Sequence, residues 1–199
     1  MSGWSLAGIA ALGAFHGLNP AMGWLLAVGA GLQRGSRRAL AFALPPIALG
    51  HFASVGLALL AAGALQTVVS DRAVRVGAVA ALAVFAWWRL AVPHRHGRPW
   101  AMSMASHELA LWSFLMSTAH GAGLMLLPFA VAGHVHVHVH TAAAAALLHT
   151  SVMIAAAAAT AVFVYEVVGV AFLRRGWINA DRVWAYALAA GAIATLFLT

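Results

Sequence analysis

The sequence contains no cysteine and no lysine, and only four of its 199 residues are acidic. Without cysteine, the chain cannot form a disulfide framework, a thiolate metal site or a dithiol electron carrier, so any metal ligands must be nitrogen or oxygen atoms. Charged residues make up 8% of the chain and hydrophobic residues 64%, and the mean hydropathy is +0.92. This composition lies outside the range of soluble globular domains and is typical of polytopic membrane proteins.

The basic residues are eleven arginines, which give a formal net charge of +7 and stand in short clusters between apolar runs. Such clusters set the orientation of membrane spans, because basic residues accumulate in cytoplasmic loops. We therefore expect the lipid bilayer to be a partner of the chain, and nucleic acid not to be one. A homo-oligomer is compatible with the same composition.

Six apolar runs are long enough to cross a hydrocarbon layer of about 30 Å, which takes about 20 residues. They predict an all-α polytopic membrane protein with spans at 3–32, 39–65, 72–92, 108–132, 142–172 and 181–199. No basic residue precedes the first run, which is therefore expected to be a span and not a cleaved signal peptide. Nine of the eleven arginines follow the first, third or fifth run, and only Arg72 and Arg75 lie on the opposite side. This bias predicts a multi-pass protein of the cell membrane with both termini extracytoplasmic.

The two halves of the chain carry similar landmarks in the same order. The first and fourth runs contain FHGLNP and AHGAGL, the second and fifth contain HFASV and HTSV, and the third and sixth open with Asp-Arg. The offsets between these landmarks are 104, 98 and 110 residues. Because each half has an odd number of spans, a duplicated second half crosses the membrane in the opposite sense. The sequence thus predicts two inverted three-helix repeats, at 1–92 and 108–199, joined by a cytoplasmic linker at 93–107.

Four histidines lie within the apolar runs: His16, His51, His120 and His149. With a helical rise of about 1.5 Å per residue, all four fall in one central slab of a core about 30 Å thick. Ionisable side chains at this depth usually face the interior of a bundle and mark a pathway or a site. Neutral imidazoles suit zinc, nickel, cobalt or copper, so we predict a metal site at the midplane. The alternative is that these rings only make hydrogen bonds between helices.

Helix breakers stand beside these histidines. Irregular backbone at membrane depth is tolerated where protein or a water-filled cavity covers it, and broken spans expose carbonyls that can hold an ion. We therefore expect the substrate pathway to run along Asn19, Pro20, Gly121 and Gly123. Pro45–Pro46 is expected to break the second run one turn before its histidine. A simple proline kink is the alternative.

The stretch GHVHVHVHT, residues 133–141, falls on the expected extracytoplasmic side between the fourth and fifth runs. Its strict alternation predicts an extended segment with the histidines on one face. A short His-rich tract is also a metal-binding signal. We expect it to capture cations at the mouth of the pathway, using His134, His136, His138 and His140. The alternative is a tolerated low-complexity loop.

Glu166 lies late in the fifth run and has no counterpart in the first half of the chain. Carboxylates within membrane spans often take part in proton relays. Glu166 is therefore a candidate for proton coupling, and the alternative is an interfacial acid on a long helix.

The small size, the spans arranged as three plus three, and a histidine beside helix breakers in the first and fourth spans resemble the superfamily of small inverted-repeat exporters. This superfamily includes the lysine, sulfite and nickel/cobalt exporters, and the resemblance covers the whole chain. It implies the inverted-repeat fold and a transport role. The nickel/cobalt branch carries an acid with its first-span histidines, whereas this sequence has Asn19 after His16 and no aspartate there, so the resemblance implies no particular metal.

These observations predict a transporter of a divalent transition-metal cation that works by alternating access. The alternative is a haem-binding or metal-dependent membrane redox protein, because six spans and four histidines also resemble the cytochromes b561. That family holds two haems near opposite faces of the membrane, whereas these histidines cluster centrally. An enzyme with a histidine-bound metal is disfavoured, because no acid near the site supplies a general base.

Overall fold

The computed structural model of the chain describes residues 3–68, 104–131 and 138–168, together with scattered positions between 70 and 87. Most of these residues are helical, and there is no β-strand among them. The helices are α1 (Gly3–Leu18), α2 (Trp24–Gln33), α3 (Arg37–Leu65), α4 (Ser106–Ala119), α5 (Ala122–Val131) and α6 (Val139–Phe163). A 3-10 turn at Pro20–Met22 precedes α2, and a π turn at Val164–Val168 follows α6. The predicted sixth span and most of the third lie outside the described residues.

Two helices of the described part are long and apolar enough to cross a membrane: α3, and the helix from Val139 to Val167 that includes α6. Their hydropathies averaged over 18 residues are 1.8 and 1.9. The helices that correspond to the first and fourth predicted spans are each divided into two shorter segments. Six spans are therefore predicted, whereas two helices of spanning length are observed in this part of the chain.

The first apolar run is divided between α1 and α2. The Asn19 side chain accepts a hydrogen bond from the backbone N–H two residues later (2.8 Å), and Pro20 begins the 3-10 turn. Gly23 then has a φ of 107°, a conformation that a Cβ atom disfavours, and α2 starts at the next residue. The Trp24 indole N–H donates to the Leu18 carbonyl (3.1 Å), which satisfies one of the acceptors left at the end of α1.

The second divided run consists of α4 and α5. The Glu108 carboxylate accepts a hydrogen bond from the Ala105 N–H (2.7 Å), an interaction that favours the start of a helix. At the other end of α4, His120 is the C-cap residue, and Gly121 has a φ of 67° before α5 begins. In both divided runs, a helix therefore ends at or shortly after a buried histidine.

Pro45–Pro46 does not break the second run, which corrects the prediction. α3 is continuous from Arg37 to Leu65 with both prolines inside it. Each proline removes one backbone N–H and so leaves the carbonyl four residues earlier without its helical partner. The remaining backbone bonds are kept, and α3 packs against α2, α4 and α6. This tertiary packing outweighs the local cost, so His51 lies on an unbroken helix.

The prediction of an extended segment at 133–141 is wrong for the C-terminal end of that segment. His138 is extended (φ −80°, ψ 156°), but α6 begins at Val139, and His140 lies in its first turn. The long alanine-rich run that follows has high helix propensity, and its helix extends back into the tract. His134 and His136 lie outside the described residues.

α1 packs closely along α6 through two glycines. A Cβ atom at Gly13 would lie 2.6 Å from the His149 carbonyl oxygen, and one at Gly17 would overlap the Met153 carbonyl oxygen. The contact advances by four residues on each helix, so the two helices run parallel. Side chains at either glycine would force the helices apart.

α3 packs along α4 in the same parallel sense. The Ser113 hydroxyl donates to the Ile47 carbonyl (2.7 Å), and further along both helices Ser54 is hydrogen-bonded to Thr118 (2.8 Å). Between these two contacts, Gly50 lies against the backbone of α4 with no space for a side chain. These contacts fix the register of the two helices.

Within the described part of the chain, the buried apolar residues form two clusters. Val55 and Ala146 belong to the first, together with residues of α1 and α5. Ile47 and Met153 belong to the second, together with residues of α2. Because positions 51 and 149 fall between these pairs on α3 and α6, the core is interrupted at this level by a polar layer.

Candidate functional site

Three imidazole rings from α1, α3 and α6 converge in the polar layer. The ring centroids of His16 and His149 are 4.9 Å apart, those of His51 and His149 are 5.3 Å apart, and those of His16 and His51 are 5.8 Å apart. All three residues are 0% exposed. The structure therefore brings three of the four predicted central histidines into ring contact.

The fourth predicted histidine, His120, is also buried, with 1% of its surface exposed. It lies at the end of α4, within range of an electrostatic interaction with His16. His120 therefore belongs to the edge of the cluster, next to the break between α4 and α5.

Hydrogen bonds orient two of these rings in the same way. Nδ1 of His16 donates to the Leu12 carbonyl (2.8 Å), and Nδ1 of His120 donates to the Met116 carbonyl (2.7 Å). A carbonyl can only accept, so in each neutral ring the proton is on Nδ1 and the lone pair on Nε2. Histidines that bind metals commonly have this arrangement, in which a backbone carbonyl orients the ring through its other nitrogen.

The other two rings differ. Nδ1 of His149 donates to the Ile9 carbonyl of α1 at the longer distance of 3.3 Å, which is the interhelical bond expected of a purely structural histidine. Nε2 of His149 and both ring nitrogens of His51 are buried and have no hydrogen-bond partner within the described residues. Buried polar atoms are rarely left without a partner, because desolvation is then uncompensated. These nitrogens are therefore available to a bound ligand.

The separation of the ring centroids is close to that of imidazoles that share one metal ion, but the rings of His51 and His149 are nearly parallel, with an interplanar angle of 17°. With a metal–nitrogen bond of about 2.0–2.1 Å, two imidazoles bound to one ion at an angle of about 90–120° have centroids about 4.5–5.5 Å apart. No group of three or more His, Cys, Asp or Glu side chains in the described part already has metal-ligand geometry. Binding would therefore need ring rotations, which the broad terminal torsion of histidine permits.

The predicted pathway residues are adjacent to this cluster in sequence, at the two breaks. Asn19 is buried and holds the turn that includes Pro20. Gly121 provides the left-handed residue between α4 and α5, and Gly123 packs against Ala58 of α3. All four residues shape the backbone, and Asn19 alone adds a polar side chain.

Two of the four surface histidines fall within the described part. The rings of His138 and His140 are nearly parallel, with an interplanar angle of 5° and centroids 5.6 Å apart, and both residues are exposed. These two neighbouring imidazoles lie at the start of α6, about two helical turns or more from His149.

Glu166 forms a two-point ion pair with Arg37, with Nη2–Oε2 at 2.8 Å and Nε–Oε1 at 2.6 Å. The pair joins the start of α3 to the turn after α6. Glu166 lies 17 residues beyond His149, or about 25 Å along a helix. This position favours the interfacial alternative over proton coupling.

Two hydroxyl residues near the cluster are absent from the predicted set. Ser117 and Thr150 are buried, and their hydroxyl oxygens have no hydrogen-bond partner within the described residues. The sequence signal that could have identified them was their position: Ser117 lies three residues before His120, and Thr150 directly follows His149. Small hydroxyl residues are common in apolar helices, so position alone did not single them out.

No family model matches the chain, and no match is found among curated proteins or solved structures.

Proposed function

We propose that the protein is a multi-pass membrane transporter of a divalent transition-metal cation, which binds to buried imidazoles at the interface between two inverted repeats. The observation that carries this proposal is the mutual contact of three fully buried histidine rings from three helices. Imidazole suits zinc, nickel, cobalt and copper, and the absence of cysteine from the sequence leaves nitrogen and oxygen as ligands.

The membrane topology in this proposal rests on apolar surface and on the arginines. Exposed apolar side chains project from both helices of spanning length, among them Phe42 (75% exposed) and Leu49 (64%) on α3 and Leu147 (61%) on α6. A helix that is apolar on its outer as well as its inner face is suited to a lipid environment. Four further spans and extracytoplasmic termini follow from the hydropathy and the arginine distribution.

Matching features of the two halves support the inverted repeat. His16 and His120 make the same bond to the carbonyl four residues earlier, and a break follows each of them. The parallel pair α1–α6 joins the first half to the second, and so does the parallel pair α3–α4. Exchanging the halves converts one pair into the other. Under this symmetry His16 corresponds to His120 and His51 to His149.

The divided helices support transport by alternating access. Discontinuous spans at a repeat interface allow one half to rock against the other around a fixed site. Here the breaks α1–α2 and α4–α5 both adjoin the histidines. The His-rich stretch at 133–141, which we call the surface tract, would supply metal from the extracytoplasmic side. Within it, His138 and His140 form a pair of neighbouring rings.

A haem protein is the second candidate, but the packing favours a bare ion. A porphyrin between His16 and His149 would require α1 and α6 to separate, and these helices are in close contact through Gly13 and Gly17. An absorbance spectrum of the purified protein distinguishes the two, because bound haem gives a Soret band.

The proposed function is tested by metal flux into liposomes that contain the purified protein and a metal-sensitive dye. We expect flux of at least one of Zn²⁺, Ni²⁺, Co²⁺ and Cu²⁺ above that of protein-free vesicles. Absence of flux for all four ions would contradict the proposal.

Replacing the four tract histidines by serine should slow flux at low metal concentration and leave flux at high concentration nearly unchanged, because the tract concentrates the ion without forming the transport site. Complete loss at every concentration in the serine variant would move the essential site to the tract.

A further inference from the structure

Two buried hydroxyls make no hydrogen bond within the described residues. Ser117 is 0% exposed and Thr150 is 6% exposed. A serine or threonine in a helix can donate to the carbonyl four residues earlier, and Thr118 and Thr160 do so here. Neither Ser117 nor Thr150 donates to that carbonyl, so both hydroxyls can form a hydrogen bond with another partner.

Ser117 lies on α4 at the level of His51. The Ser113 hydroxyl donates to the Ile47 carbonyl, and α3 and α4 run parallel. One turn further along, α4 carries Ser117 and α3 carries His51. Both residues precede the next contact between the two helices, which is the hydrogen bond of Ser54 with Thr118. A buried hydroxyl therefore stands at the same level as a buried imidazole whose two nitrogens also lack a partner in the described part.

Thr150 lies on α6 at the same level. It shares a face of the helix with Ala146 and Met153, at spacings of four and three residues. Ala146 belongs to the apolar cluster that contains Val55, and Met153 to the cluster that contains Ile47. On α3, His51 lies midway between Ile47 and Val55, just as Thr150 lies between Ala146 and Met153 on α6. Thr150 is therefore at the level of His51, and so is Ser117, which belongs to a different helix, α4.

We propose that the hydroxyls of Ser117 and Thr150 belong to the central site and hold water molecules that complete the coordination shell of the bound ion. This inference rests on the proposed function and specifies the form of its substrate: a divalent transition-metal ion that keeps part of its hydration shell. A metal-bound water is a strong donor, and a hydroxyl can rotate to accept from it. The resulting site has mixed imidazole and water ligands, with more than four in total.

The test uses Co²⁺ and the purified full-length protein in detergent. Four-coordinate Co²⁺ gives intense blue absorption bands and six-coordinate Co²⁺ gives weak pink ones, so the spectrum reports the number of ligands. In the double variant Ser117→Ala/Thr150→Val, we expect Co²⁺ affinity to fall by about 10-fold, as for loss of outer-shell partners, and the bands to shift towards the intense four-coordinate type. Thermal stability without metal should be unchanged or higher, because no hydrogen bond is lost.

Matched controls come from the same helices. Ser113→Ala and Thr160→Val remove hydroxyls that do make hydrogen bonds, so they should lower thermal stability and leave Co²⁺ affinity and spectrum unchanged. Thr150→Ser keeps the hydroxyl and should bind Co²⁺ as the wild type does, which provides a readable variant if the double variant fails to fold. Wild-type affinity and spectrum in Thr150→Val and in Ser117→Ala would overturn this inference alone. Failure of the wild type to bind Co²⁺, Zn²⁺, Ni²⁺ or Cu²⁺ would overturn the proposed function as well.

Discussion

His51→Leu should lower the affinity of the purified protein for its metal ion by more than about 100-fold, since loss of an outer-shell partner already costs 10–100-fold. His51 contributes the ring whose two nitrogens both lack a partner within the described residues, and it contacts both His16 and His149. Leucine keeps most of the volume of the ring and cannot bind a metal. Isothermal titration with Zn²⁺ and Co²⁺ measures the change.

His107→Ala is the control for this experiment. His107 is exposed in the first turn of α4, away from the cluster, and its loss should leave affinity within about twofold of wild type. Thermal unfolding without metal identifies a folding defect in His51→Leu, and we expect little change because His51 makes no hydrogen bond in the described part. Full metal affinity in a folded His51→Leu protein would remove this ring from the site.

Gly50→Ala should reduce the stability of the protein by about 3 kcal/mol or more, at the upper end of the cost of overpacking. The added Cβ would overlap the Ala110 carbonyl oxygen and lie 3.0 Å from the Phe114 nitrogen. These are backbone atoms of α4, which cannot move aside as a flexible side chain can. Thermal unfolding in detergent, with the yield of monodisperse protein, measures the effect.

Gly56→Ala on the same helix is the matched control. Apart from the adjoining backbone of α3 itself, no atom of the described residues lies within 4 Å of the position that its Cβ would take. Alanine there should raise stability by about 0.4–1 kcal/mol, because it restricts the unfolded chain without a clash. Equal effects of the two substitutions would mean that α3 and α4 do not pack at Gly50.

Much of the site follows from simple regularities of helices and bilayers. The helical rise and the thickness of the hydrocarbon core indicated that the apolar-run histidines lie at similar depth, and His16, His51 and His149 are in ring contact. Helix breakers next to His16 and His120 indicated where α1 and α4 end, since left-handed glycines and proline act locally.

Features that depend on tertiary packing could not be predicted in this way. Pro45–Pro46 is a helix breaker by local rules, yet packing keeps α3 continuous. The ion pair of Arg37 and Glu166 joins residues 129 positions apart, and nothing in the local pattern relates them. The level of Ser117 relative to His51 depends on the register of α3 and α4. The close approach at Gly50 and the hydrogen bonds between the two helices set this register, and hydropathy does not encode it.

The measurement that tests imidazole ligation most directly is the pH dependence of metal content. Wild type and His51→Leu are dialysed against Zn²⁺ at a series of pH values, and bound zinc is determined by elemental analysis. The difference between the two proteins isolates the central site from the surface tract. Imidazole binds a metal only when neutral, and its reference pKa is about 6.5. Protons therefore compete with the ion, and binding must weaken as pH falls.

We expect wild type to hold about one more ion per chain than His51→Leu near pH 8, and the difference to disappear on acidification with more than one proton taken up per ion released. A difference that persists on acidification until the protein unfolds, or no difference at any pH, would contradict a site built from buried imidazoles.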